Sequence, residues 1–264
     1  MEGNGKVSKN SRKRKAADGP ESKEPKEAKP THQMILKWHD AWTQVTMSGF
    51  FDEVQKQAVS DEQLEEWIRF RHLLASRLVL ACARLKKSGM DLPCAEAVEE
   101  DSRWLTKYAK DMGIDTSLES SRLMQLTDVA KYIDSITIMD ADTTAAGIGV
   151  WATLLSCFQG WNLSLERGKL QMDDNFGAIG SFLARETKIQ PILETESMLD
   201  AKVSMDNMKA CEDVFCGSLQ RISEFYEELL FQGWTEDALR CKKCGRFGHI
   251  DAKCLFKAKA SRAN

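Results

Sequence analysis

A-A-G-I-G-V-W-A-T-L-L-S-C-F-Q-G-W-N-L-S-L-E-R, residues 145–167, decides the fold of this chain. It is the most apolar helix-length run in the sequence, and its apolar positions recur at helical spacing. Ile148, Trp151, Leu155 and Phe158 fall on one side, with Leu154, Cys157, Trp161 and Leu165 beside them. So wide an apolar girth predicts a helix buried on most of its surface. Cys157 sits mid-helix among aromatics, where a thiol is either small core filler or the nucleophile of a buried site.

Outward from this run the pattern stays helical from Met34 to Trp234. Ile35, Trp38 and Trp42 open a first helix. Ser60-x-x-Gln63 is a capping box at the head of a long helix through Leu64, Trp67, Ile68, Leu74, Leu78 and Cys82, which ends near Ser88-Gly89. Further helices are predicted over 95–112, closed by Gly113, and over 126–138, 175–185, 189–200 and 205–234. No convincing alternating strand occurs; 136–139 is the nearest. The reading is an all-α bundle with short connections.

At 264 residues the chain has room for one domain of about 200 residues plus appendages. No run of about 18 apolar residues exists, so no membrane span is expected, and the first 30 residues are too polar for a secretory signal. Eight cysteines without such a signal point to a reducing compartment, hence an intracellular protein, cytoplasmic or nuclear. The net charge of −3 conceals a division. Residues 1–31 carry nine Lys/Arg against five Asp/Glu, and residues 240–264 carry eight against one; the stretch between them is strongly acidic. Basic ends on an acidic body suggest that the ends meet phosphate or an import receptor and the body does not. Residues 1–33 hold three of the five prolines and almost nothing apolar, so they are expected to be a disordered basic tail. Within it Arg12-Lys13-Arg14-Lys15 reads equally as an import cluster or as a solvating charge run. The organisation is then a tail over 1–33, a helical body over 34–236 and a small C-terminal unit over 237–264.

In that unit Cys241, Cys244, His249 and Cys254 are spaced C-x2-C-x4-H-x4-C. Three thiolates and one imidazole satisfy tetrahedral zinc and leave no open position for catalysis, so the implied Zn2+ is structural. Gly245 and Gly248 free the backbone for the tight wrap. The pattern resembles the retroviral-type zinc knuckle at all four ligands and both glycines. A unit this small has no core of its own, so metal binding would supply its folding energy. Knuckles grip single-stranded nucleic acid by stacking and phosphate contacts. Phe247 and Ile250 would be the platforms here, among Lys242, Lys243, Arg246 and Lys253, with single-stranded RNA or DNA as partner; a protein-docking or purely structural role is the alternative. Lys242 stands where knuckles often carry an aromatic residue.

The body resembles the TenA/thiaminase II family, whose fold is the heme-oxygenase-like helical bundle. The likeness lies in motif order. Phe50-Phe51-Asp52-Glu53-Val54 through Leu64-Glu65-Glu66-Trp67-Ile68 is similar to its opening helices, and Glu99 to Trp104 with Gly113-Ile114 to its third. Ala130-Lys131-Tyr132-Ile133 is similar to the entry of the next helix. Leu154-Leu155-Ser156-Cys157-Phe158-Gln159-Gly160-Trp161 resembles the segment with the catalytic cysteine, the run from Phe176 to Phe182 the following helix, and the run from Glu224 to Trp234 the terminal one. The resemblance implies an aminohydrolase acting on a thiamine-derived aminopyrimidine or related small aromatic heterocycle. Cys157 would be the nucleophile and Glu227 the acid/base, with Glu224 or Glu228 if the register is displaced. Tyr132, Trp161 and Phe176 would line the ring slot. Where the family has Gln-Asp-Tyr this chain has Phe70-Arg71-His72, so an arginine replaces the carboxylate that accepts from the substrate amine. Arg71 therefore implies either a different, anionic ligand or an inactive site. The family's usual tetramer leaves a homo-oligomer open. From another class comes the alternative: a catalytically silent body whose zinc tail binds single-stranded nucleic acid.

Overall fold

A computed structural model describes residues 28–56, 58–138, 143–166, 182 and 189–231. Among them all regular structure is helical: α1 (Pro30–Lys37), α2 (His39–Thr46), α3 (Gly49–Gln55), α4 (Asp61–Lys87), α5 (Ala95–Asp111), α6 (Met124–Ile138), α7 (Thr143–Glu166), α8 (Ile189–Asp200) and α9 (Met208–Phe231), with a single 3-10 turn at Leu118–Ser120. Residues 136–138, which read as the nearest approach to a strand, are the last turn of α6.

Two sequence boundaries shift. The first helix breaks at Trp38, whose backbone ends α1 and starts α2. The body also begins earlier than residue 34, because Pro30 pre-sets the first turn of α1. There Thr31 is fully buried and donates its N–H and hydroxyl to Asp200 Oδ1 at 2.9 and 2.6 Å. The first and eighth helices are thus tied by a buried hydroxyl–carboxylate contact.

α7 is the axis of the bundle. Every residue from Thr144 to Cys157 is buried, and α2, α3, α4, α6, α8 and α9 all pack on it. Glycine makes two of these contacts close enough. A Cβ on Gly149 would stand 2.7 Å from Val214 Cγ1 of α9, and one on Gly160 would stand 2.8 Å from Phe51 Cε2 of α3. Both glycines cost about 1 kcal/mol in helix propensity, and the helix-to-helix approach they permit outweighs it.

Three polar side chains join the ends of helices that hydrophobic burial alone would leave free to slide. Ser60 and Gln63 form the capping box of α4, at 3.2 and 3.0 Å. Gln63 also donates to the carbonyls of Leu229 and Leu230, at 2.9 and 3.2 Å, closing the C-terminal turn of α9. Glu66, 1% exposed, accepts from Arg69, from Ser121 Oγ and from the Arg122 N–H, so its charge is satisfied on every side. In the same last turn of α9, Glu228 accepts from the N–H groups of Met124 and Gln125, the orphan donors at the head of α6.

Candidate functional site

Four helices bring their i, i+4 rows to one point. Trp67 and Arg71 lie one turn apart on α4, Asp101 and Leu105 on α5, and Cys157 and Trp161 on α7; Tyr226 of α9 completes the ring. Together with Trp104, Phe158 and Phe182 they enclose a cavity of about 50 Å³. The floor is buried (Trp67, Leu105, Cys157, Phe182, Tyr226), and the rim residues are half-buried. Aromatic rings make the walls. Trp67 meets Phe182 edge-on at 4.9 Å and Trp161 at 5.9 Å. This volume is about a third of a cavity that takes benzene, so only a small ring, or the edge of one entering between the rim residues, would be accommodated. A larger surface groove of about 520 Å³ beside the end of α4 has no aromatic residue in its lining.

The polar groups of the cavity interact with one another. Arg71 Nη2 is 3.1 Å from Asp101 Oδ2, with the side chains 17% and 13% exposed. Burial opposes the Arg71 charge, but Asp101, Cys157 and Tyr226 outweigh it and hold the guanidinium firmly protonated. Cys157 feels burial most, and its thiol is pushed above its ordinary value. The Arg71 charge and hydrogen bonds with Tyr226, Ser156 and Arg71 act the other way without overcoming burial. Burial and the neighbouring Cys157 raise the Tyr226 hydroxyl well above its usual range. At neutral pH the cavity therefore holds a neutral thiol, a neutral phenol and a compensated ion pair. The indole N–H of Trp161 is buried there without a hydrogen-bond partner.

The residues singled out from sequence divide accordingly. Cys157, Trp161 and Arg71 meet at the cavity. Arg71 does so as half of an ion pair with Asp101, which offsets its charge. Glu227 does not reach the cavity; it lies on the exposed face of α9, one residue from Tyr226, which points in. Neither alternative register helps, since Glu224 accepts from Gln220 at 2.8 Å and Glu228 caps α6. Tyr132 also stands elsewhere, between α6 and α9. Its hydroxyl donates to the Val214 carbonyl at 3.0 Å and its ring lies under the Arg221 guanidinium at 4.4 Å. Phe176 and the zinc ligands Cys241, Cys244, His249 and Cys254 lie outside the described residues, as does the predicted helix over 175–185 apart from Phe182. Among the described residues no group of three or more metal-ligating side chains comes together, and no helix is long and apolar enough to cross a membrane. Cys211 is buried in the core.

Sequence reading missed Asp101, Trp104 and Tyr226 as site residues. The signal for the first two was present: Asp101 and Trp104 sit at i and i+3 on one helix, like Trp67 and Arg71 at i and i+4. Tyr226 was hidden by one residue of register, since a shift of one position turns a helical side chain by about 100°.

No protein-family model and no curated protein sequence matches this chain. Its architecture does match solved structures. A TenA homologue from Pyrococcus furiosus superposes with a TM-score of 0.64 at 11% identity, over 76% of this chain and 99% of that one. A TenA homologue from Pseudomonas syringae gives 0.56 at 13%, over 75% and 91%, and the TenA homologue of P. horikoshii gives 0.57 at 12%, over 78% and 100%. At such identities the likeness establishes the fold: this chain carries a TenA-type helical bundle.

Proposed function

We propose that the helical body is a TenA-like hydrolase of a small, flat, thiamine-related heterocycle, with Cys157 as its nucleophile. The observation that carries the reading is the position of Cys157: a thiol in the floor of a ring-lined cavity, within hydrogen-bond reach of Arg71 and Tyr226. Its sulfur adds to an electron-poor ring carbon as its proton leaves, the amine departs as ammonia after taking up a proton, and water then adds at the same carbon, the C–S bond breaking to return the thiol and release the hydroxylated ring. Tyr226 and Asp101 are the proton-handling groups beside the sulfur; Glu227 has no part in the step. Arg71, neutralised by Asp101, orients the ring without demanding a charge on it, so an uncharged substrate is favoured over a carboxylate or phosphate.

The test is ammonia release from a panel of uncharged aminopyrimidines by the full chain, with binding followed in parallel by tryptophan fluorescence. Turnover that is lost in Cys157→Ala while ring binding persists supports the reading. Binding without turnover on any ring leaves a silent pocket and overturns the hydrolase.

A second reading belongs to the C-terminal segment and is favoured by its C-x2-C-x4-H-x4-C spacing alone. The segment binds one structural zinc ion through Cys241, Cys244, His249 and Cys254, and its basic side chains contact single-stranded nucleic acid. A fluorescent single-stranded oligonucleotide that binds the full chain, and is released by Cys244→Ser but not by Cys157→Ala, supports it. Equal binding by the Cys244 variant overturns it.

A further inference from the structure

The polar groups in the walls of the ring cavity largely satisfy one another. Arg71 and Asp101 face each other as an ion pair at 3.1 Å, and the Cys157 thiol, the Tyr226 hydroxyl and the Trp67 indole form a connected group beside them. Trp161 is the exception. It lines the same cavity, and its indole N–H is buried with no hydrogen-bond partner. A donor shut off from water and left unpaired weighs against the fold, and in a native protein it calls for an explanation.

Helix geometry places that donor. Cys157 and Trp161 are one turn apart on α7 and share a face. Side chains of a helix lean toward its N-terminus, so the Trp161 ring lies back over the turn that carries Cys157. There it meets the Trp67 ring at 5.9 Å, tilted by 52°, while Phe51 closes on Gly160 next to it. Held between these rings, the indole has little freedom to swing its N–H out to water. A tryptophan that served only as wall would present its N–H to solvent or to a backbone carbonyl, as buried indoles usually do, and a phenylalanine would fill the wall with no donor to satisfy. The cavity, about 50 Å³, has room for the edge of a ring, and the atom of that edge nearest the indole can be its acceptor.

We infer that Trp161 selects the ligand of the cavity: its indole N–H donates to a neutral acceptor in the edge of the ring, an aza nitrogen or a ring carbonyl oxygen. The inference rests on the reading that the cavity receives a flat ring, and it adds which ring: a heteroaromatic with a lone pair in its plane, in preference to a benzenoid of the same outline. An uncharged acceptor suits the site, because Arg71 already has Asp101 as its counter-ion. A ring that offers only a C–H at that point leaves the donor unpaired, or displaces a water from it without replacing the bond, and binds about tenfold more weakly. The same bond fixes which way round the ring lies over Cys157.

Two uncharged probes of equal outline, 4-methylpyrimidine and toluene, test this on the full chain. Neither has an amine to lose, so binding is read without turnover. With the nitrogens of the seven tryptophan indoles isotope-labelled, saturating 4-methylpyrimidine should move one indole N–H proton downfield. Toluene should not, and that resonance should be missing from Trp161→Phe. In titrations, Trp161→Phe should bind 4-methylpyrimidine about tenfold more weakly and toluene to within about twofold of the unsubstituted chain. An equal loss of affinity for both probes would overturn the inference, as would an indole spectrum that 4-methylpyrimidine leaves unchanged, or binding of neither probe. Should circular dichroism show that Trp161→Phe has not folded, Trp161→Leu takes its place, and the indole shifts of the unsubstituted chain decide the matter by themselves. Ammonia release from aminopyrimidines with no indole shift would keep the hydrolase and sink this inference; an indole shift with no ammonia release would do the reverse.

Discussion

A single residue of register separates Tyr226 from Glu227, and it changes what the closing helix gives to the cavity. Tyr226 is 1% exposed and touches the space around Cys157, whereas Glu227 lies on the outer face of α9, its carboxyl held above its ordinary value by partial burial and the neighbouring Glu224. Glu227→Gln should therefore leave both stability and any amine release within experimental error, since exposed substitutions away from special contacts change stability by about 0.5 kcal/mol or less. Cys157→Ser, at 6% exposure, places a hydroxyl where a thiol packs among rings; it should abolish turnover and lower the urea midpoint by an amount equivalent to about 1–2 kcal/mol. Equal activity in the two variants would refute the assignment. Proton binding gives an independent check. Cys157 and Tyr226 both hold their protons more tightly in the folded chain than their ordinary values of 9.0 and 10.0 imply, chiefly because burial penalises the charged forms. Raised affinity in the folded state means stability that is complete below the unfolded value and declines as pH climbs past it. The urea midpoint should be level through neutral pH and fall above 9, and Cys157→Ser should flatten part of that fall. A midpoint that rises with pH would contradict the burial argument.

Helix by helix, the packing is decided by contacts that a sequence only partly reveals. Periodicity gave α7 to within two residues at its start, because a run apolar on all sides has no other stable use. The capping box at Ser60 and the left-handed glycines at 89 and 113 marked ends just as plainly. What pattern could not disclose was the break at Trp38, where both flanking helices have similar propensity, or which rows would face the same void. Cys157 was legible as a thiol among apolar neighbours, and Arg71 as a departure from the Gln-Asp-Tyr of the family the body resembles; Asp101 was not, since a carboxylate on a charged helix reads as surface until its partner 30 residues away is known. Two substitutions test the packing. Gly149→Ala sets a methyl 2.7 Å from Val214 Cγ1, and overpacking of that kind costs about 1–3 kcal/mol. Gln63→Ala removes the cap of α4 and the donor to two carbonyls of α9, a loss of about 2 kcal/mol when the cap and the orphaned acceptors are combined. Thermal unfolding should register both, and a Gly149→Ala variant as stable as the original would mean that α9 moves aside at no cost.

For the molecule as a whole, an acidic helical body and basic termini are two chemistries on one chain. If the C-terminal segment folds around zinc as its spacing indicates, chelation should remove one metal ion per chain and leave the melting of the body unchanged. Its tight helical packing contains no metal-ligand cluster among the described residues. A collapse of helical signal on chelation would show that the two parts depend on each other.

The grip of Gln63 on Leu229 and Leu230, together with that of Glu228 on the head of α6, has a consequence for synthesis. The last helical turn completes the contacts of the fourth and sixth helices with the ninth. A nascent chain cannot complete that fastening until residue 230 has cleared the ribosome exit tunnel, however early the central helix has formed. Until then the long apolar flanks of the bundle stay uncovered. Translation of this protein should therefore pass through a stage in which nearly all of the body has emerged and is still a client for chaperones, with burial arriving abruptly at the end.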